Sequence, residues 1–167
     1  VPFTEEMEPR PKDPYAIGKV ASEMLVRNLC ETHDMEYVIA VPHNIIGPRQ
    51  KYDDPYRNVA AIMINLMLQG RQPYIYGDGK QKRCFSFVDD VAPYLYRLAI
   101  EGGLNGEVIN LGPDEGFVTI LELARSIATL LEFDLHPTFL AERPREVHLA
   151  NCSADKGRRL LGYRTTY

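Results

Sequence analysis

Tyr15 and Lys19 stand four positions apart in DPYAIGKVASE, residues 13 to 23. On a helix that spacing puts both side chains on one face, one turn apart. A phenol ordinarily ionises near pH ~10, too high for a base at neutral pH. A lysine ammonium one turn away favours the phenolate. The pair therefore has the parts of a proton-transfer couple, able to take a proton from a substrate hydroxyl and return it. Ordinary helices carry the same spacing, with the tyrosine partly buried and the lysine in water, so it decides nothing alone.

Three other residues have side chains suited to a ligand. Asn44, in VPHNIIGP (41–48), offers a donor and an acceptor that suit a sugar or nucleotide hydroxyl. An asparagine there can equally close a turn on its own backbone. Arg83, in YIYGDGKQKRCFSFVDD (74–90), and Arg143, in RPRE (143–146), carry guanidinium groups that grip phosphate bidentately. One exposed arginine means little, but two leaving separate strand ends toward one cleft fit a diphosphate. His33, His43, His136 and His148 show no ligand spacing, so no metal site is expected.

The elements that must position these groups follow from pattern. Asp13 with Pro14 is a helix start, a capping carboxylate before the residue that tolerates the first turn. Apolar residues at 17, 20, 21, 24, 25 and 29 keep the helical period and carry the helix to about Thr32. EYVIAV predicts a buried strand ending near Val41, followed by a turn-rich loop. NVAAIMINLMLQG predicts a helix closed by Gly70. PYIY and RCFSFV predict strands around a GDGKQ turn, and Asp89 or Asp90 is the expected cap of the next helix. EVINLG predicts a strand, Thr119 caps an amphipathic helix, HPTFL is a short strand, and Ser153 starts a last helix.

Helices alternating with short strands make this an α/β protein. The first helix and strand read as the end of a doubly wound sheet, and the rest as a smaller mixed lobe. Ligands of such sheets sit at the carboxyl ends of the strands, which directs attention to the loop after Val41.

At 167 residues the chain suits one domain with a real core. Its 45% hydrophobic and 25% charged residues are ordinary for a globular protein. A net charge of −4 and a pI of about 5.6 argue against nucleic acid as a partner. No apolar run is long enough to span a bilayer, so no membrane association and a cytoplasmic location are expected. Cys30, Cys84 and Cys152 are widely separated and odd in number, and read as reduced packing residues. Gly102, Gly103 and Gly106 lie between a helix end and a strand, the wrong order for a phosphate cradle.

Five segments in order then carry a resemblance: PFTEE with PYAIGK, VPHNIIGPRQ, IYGDGKQKRCFSFVDDVA, VINLGPDEG, and RPREVHLANCSADKGRRLLGY. Together they resemble the C-terminal half of the extended short-chain dehydrogenase/reductase superfamily, the NAD-dependent nucleotide-sugar epimerases and dehydratases. The resemblance implies the C-terminal part of a Rossmann-type sheet, about residues 1–50, and a nucleotide-sugar-binding lobe, about 51–167. It gives Tyr15 the catalytic role, with Lys19 beside it bonding the nicotinamide ribose. Pro42 and His43 fall where the backbone passes the nicotinamide of NAD. Asn44 and Asn58 match residues that contact the nucleotide sugar, and Tyr74 and Tyr76 the strand that meets the base. Arg83 and Arg143 match the arginines that hold the diphosphate.

The implied chemistry is transient oxidation of a sugar hydroxyl to a 4-keto sugar, most like a UDP-glucose or UDP-N-acetylglucosamine 4-epimerase. A 4,6-dehydratase or decarboxylase stays open, as does a sugar-nucleotide-binding protein without chemistry. A homodimer is implied, paired through the helix that bears Tyr15 and Lys19. Val41 stands where the family often has arginine, and Cys84 where it often has aspartate. Ala150 replaces a bulky residue of the enzymes restricted to plain hexoses, which leaves room for an N-acetyl group. The family's glycine-rich loop, acidic ribose-binding residue and catalytic Ser/Thr lie upstream of residue 1. The 167 residues alone are therefore expected neither to bind NAD tightly nor to turn over.

Overall fold

The structure is a computed structural model, and it describes residues 2–54, 58–113, 116–143 and 148–167, with the side chain of Ala150 left out. Helix α1 spans Pro14–Thr32, and the Asp13 carboxylate accepts from Ala16 N at 2.8 Å, as the Asp-Pro start predicts. Strand β1, Ile39–Pro42, begins later than EYVIAV suggests, and β2 follows at Ile45–Ile46. Helix α2, Val59–Leu68, leads through Gly70, whose φ of 70° is left-handed, to β3 at Tyr74–Tyr76. A single strand was expected over 83–88, but two form: β4 at Lys82–Arg83 and β5 at Ser86–Phe87. The chain changes sheets between them. β4 pairs with residues 118–119 and 149–150, whereas β5 pairs with β2.

Helix α3, Val88–Ile100, starts from Phe87 without a side-chain cap, so neither Asp89 nor Asp90 caps it. Asp90 is 5% exposed, and its two oxygens accept from Thr166 N at 2.9 Å and Tyr167 N at 3.0 Å. A carboxylate already holding a distant segment is not available to its own helix end. After it come β6, Val108–Leu111; β7, Val118–Thr119; α4, Ile120–Leu130; β8, Thr138–Leu140; β9, Leu149–Ala150; and α5, Asp155–Leu161. The Thr119 cap is present and closes a capping box with Glu122. Ser153 Oγ accepts from Asp155 N at 3.2 Å, one turn edge before α5.

β1 and β6 run parallel, with Pro42 opposite Leu111, and so do β3 and β8. Two cores result. Val91, Leu98, Ile109, Leu111, Leu161 and Tyr163 pack with Val38 and Ala40 behind the β1–β6 pair. Met63, Met67, Ile75, Ile120, Ala124 and Ile127 join α2, β3 and α4 into a second. The strap from Gly162 to Tyr167 closes the first core, its last ring 4.9 Å from that of Phe87, edge to face.

Two predictions belong to that strap. Asp90→Ala removes a charged acceptor from two backbone N–H groups, which water can then reach, so a loss of about 2 kcal/mol is expected. A urea midpoint equal to wild type's would show that the clamp contributes nothing. Tyr163 is 2% exposed, and its hydroxyl has no hydrogen-bond partner among the described residues. Burial, with the Asp90 carboxylate adding to it, pushes the phenol from its ordinary 10 to about 12. A raised folded value stabilises fully below pH 10, and that stability is lost as pH climbs toward 12, where the unfolded phenol ionises first. Tyr163→Phe should lose less stability than wild type across that interval, measured by denaturant midpoints at successive pH values.

Candidate active site

On α1 the Tyr15 and Lys19 side chains meet as predicted, with Lys19 Nζ 5.5 Å from the Tyr15 ring centroid. Tyr15 is 75% exposed, so the phenol presents an open face rather than packing. None of the α1 residues is buried, and Ile17, Met24, Leu25 and Leu29 all lie exposed along the helix. Together they form an exposed apolar stripe along the helix.

Where β1 ends, the chain turns sharply. His43 N donates to Leu111 O at 2.9 Å, which carries the parallel pairing one step beyond the strand. Burial pushes the His43 imidazole below its ordinary value, so it is neutral at neutral pH. Asn44 adopts a φ of 39°, a conformation asparagine tolerates better than most residues. Its Nδ2 donates across to Cys84 O at 2.9 Å rather than to its own turn.

A cleft of about 440 Å³ opens beside this turn. Asn44, Asn58, Tyr74, Tyr76, Arg83 and Arg143 all line it, drawn from widely separated stretches of the chain. Asn58 is also the N-cap of α2: its Oδ1 accepts from Ala60 N at 3.0 Å and its Nδ2 donates to Ile45 O at 3.2 Å. The Arg143 guanidinium lies 4.0 Å from the Tyr76 ring centroid, a stacked cation–π pair. Arg83 Nη1 donates to Lys82 O at 2.8 Å, which pins one edge of its fork. Val59, Ile62, Met63 and Leu66, one side of α2, supply apolar wall. Two cationic forks, an aromatic platform and amide groups over an apolar floor suit a planar base attached to a diphosphate and a sugar.

Tyr15, Lys19, Pro42 and His43 do not line the cleft. Pro42 and His43 lie instead at the carboxyl end of the parallel β1–β6 pair, the position at which such sheets take their ligands. Ala150 pairs with Arg83 through its backbone, but its side chain lies outside the described residues.

Sequence reasoning missed Gln81 and Phe85, which also line the cleft. Gln81 is 8% exposed and its Nε2 donates to Tyr76 O at 2.9 Å, holding the aromatic strand. A glutamine between two lysines gives no sign of burial in the sequence. No helix among the described residues is long and apolar enough to cross a membrane.

Comparison with known proteins accords with this geometry. The chain is 32% identical over 164 residues to the UDP-glucose 4-epimerase of Mycolicibacterium smegmatis, covering 97% of the chain and 51% of that protein. It is 33% identical over 174 residues to the dTDP-glucose 4,6-dehydratase of Neisseria gonorrhoeae, covering 96% and 48%. The crystal structure of UDP-glucuronic acid 4-epimerase from Bacillus cereus, in complex with UDP-glucuronic acid and NAD, superposes with a TM-score of 0.91 at 26% identity, over 100% of the chain and 52% of that structure. The chain thus spans about half the length of the relatives it matches. The profile of the family described as "NAD dependent epimerase/dehydratase family" matches residues 1–112, and with these relatives at its side the chain belongs to that NAD-dependent family.

Proposed function

We propose that the full-length protein is a nucleotide-sugar 4-epimerase acting on a UDP-hexose or UDP-N-acetylhexosamine through a transient 4-keto sugar. One observation supports this above the others. Asn44, Asn58, Tyr74, Tyr76, Arg83 and Arg143 share one cleft beside the turn that leaves β1. In this reading the Tyr76 ring and its strand meet the base, the two arginines take the diphosphate, and Asn44 accepts from a sugar hydroxyl.

NAD, when bound, supplies reversible two-electron oxidation and reduction. The chain's own residues hold and move the proton. Tyr15 Oη takes it from the sugar C4 hydroxyl and gives it back, with the Lys19 ammonium one helical turn away. His43, neutral and half-buried, adds no competing charge beside the reacting centre. Residues 1–50 then belong to the Rossmann part and most of 51–167 to the substrate lobe. The exposed α1 stripe suits a cytoplasmic homodimer paired through that helix.

A second reading, 4,6-dehydratase, is favoured by the dTDP-glucose 4,6-dehydratase relative, whose identity to the chain equals that of the epimerase within a percentage point. Incubating full-length protein with UDP-glucose, UDP-N-acetylglucosamine and dTDP-glucose, then separating the products, tests both. C4-inverted UDP-sugars support the epimerase, a 4-keto-6-deoxy product supports the dehydratase, and no conversion of any of them overturns the enzyme reading.

A further inference from the structure

Ser86 lies in β5, outside the cleft lining, and is 1% exposed. A hydroxyl so deeply buried needs a partner, and its Oγ donates to His43 O at 2.5 Å. Its backbone N donates to Asn44 O at 3.3 Å, and the register sets it opposite Ile45. Asn44 returns the contact through Nδ2 to Cys84 O. Residues 43 and 44 are thereby tied to 84–86 by three bonds, across forty residues of chain.

The opposite flank is closed as tightly. His43 N is held by Leu111 O. A Cβ built on Gly112 would stand 2.7 Å from His43 Cβ and 3.2 Å from Ser86 Oγ, so only glycine lets the two segments approach this closely. The turn between β1 and β2 is fixed in a left-handed conformation at Asn44 by these neighbours.

We propose that Ser86 is a positioning residue, whose hydroxyl, through the His43 carbonyl, sets the Pro42–Asn44 backbone against both the nicotinamide and the sugar. The inference rests on the sugar-nucleotide reading of the cleft. Arg83 leaves the same segment three residues earlier, so one stretch of chain holds the diphosphate with a guanidinium and aligns the reacting end with a hydroxyl. Removing the hydroxyl takes this donor from the half-buried His43 carbonyl and frees the turn to relax. A shift of about 1 Å at a reacting centre is enough to cost up to ~10²-fold in rate. Binding of the base and diphosphate, carried by Tyr76, Arg83 and Arg143, has no part in this linkage.

The test uses full-length Ser86→Ala and Ser86→Thr, with steady-state kinetics, UDP titration calorimetry and NAD titration. Ser86→Ala should lose about tenfold or more in kcat. Its KM and UDP affinity should stay within about twofold of wild type, and its NAD affinity should fall about threefold or more. Ser86→Thr, which keeps the hydroxyl, should recover most of the kcat. Unchanged kcat in Ser86→Ala, a loss confined to KM, or equal impairment of the two variants would overturn the proposal. If wild type converts no sugar nucleotide, the functional reading fails by itself. NAD affinity then decides the role of Ser86: weaker in the alanine variant alone sustains it, and equal in all three proteins overturns it.

Discussion

Tyr15→Phe in the full-length protein is expected to lower turnover by about 10²–10⁴-fold, the range that a positioned general acid–base contributes. The substitution deletes one oxygen from a side chain that is 75% exposed. Folding should therefore be untouched, and the melting temperature should match wild type within about a degree, since exposed substitutions of this kind move stability by less than ~0.5 kcal/mol. UDP affinity should also hold, because Tyr15 is not among the residues that line the cleft. The loss must then appear in kcat with KM nearly constant, the mark of an interaction made only in the transition state. Lys19→Met should give a smaller loss, since it removes the ammonium that stands 5.5 Å from the Tyr15 ring. Turnover in Tyr15→Phe within about tenfold of wild type would exclude the phenol as the proton carrier.

The second large effect is expected at Arg83. Its guanidinium lines the cleft with one edge on the Lys82 carbonyl, and that bond orients the fork before any ligand arrives. A fixed fork loses little freedom on binding a diphosphate, and truncating one partner of such a charge pair costs about 2–3 kcal/mol or more. Arg83→Ala should therefore weaken UDP by roughly 30- to 100-fold in calorimetry. Arg83→Lys should regain only part of it, since an ammonium is a point charge without the bidentate geometry. Arg143 differs, because it rests on the Tyr76 ring at 4.0 Å and depends on that ring for its place. Tyr76→Ala should thus weaken UDP by removing both the base platform and the arginine's support. UDP affinity in Arg83→Ala within about threefold of wild type would remove the diphosphate from this cleft.

Local patterns were legible where local geometry decides the outcome. Asp13 before Pro14 started α1, and Thr119 with Glu122 started α4, because each cap bond spans three residues and forms wherever the chain turns helical. Tyr15 and Lys19 met because i and i+4 positions of any helix lie together. The residues assigned by resemblance were legible as types, and Asn44, Asn58, Tyr74, Tyr76, Arg83 and Arg143 do share a cleft.

Other features belong to the tertiary structure. Asp90 reads as a helix cap, yet its carboxylate serves residues 166 and 167, because the strap brings two backbone N–H groups to it and the N-terminal end of α3 has no side-chain cap. RCFSFV reads as one strand, yet it divides, because β4 and β5 find partners in different sheets and no local preference records which partner lies nearby. Ser86 in a strand reads as an ordinary small polar residue. Only the arrival of His43 beside it, forty-three positions earlier in the chain, makes its hydroxyl a fixed donor. The sequence by itself determined the helices, the caps of α1 and α4 and the chemical inventory of the site, since bonds between near neighbours cost little loop-closure entropy. The tertiary structure decided which groups face one another, since contacts between distant residues are selected by how both cores pack together.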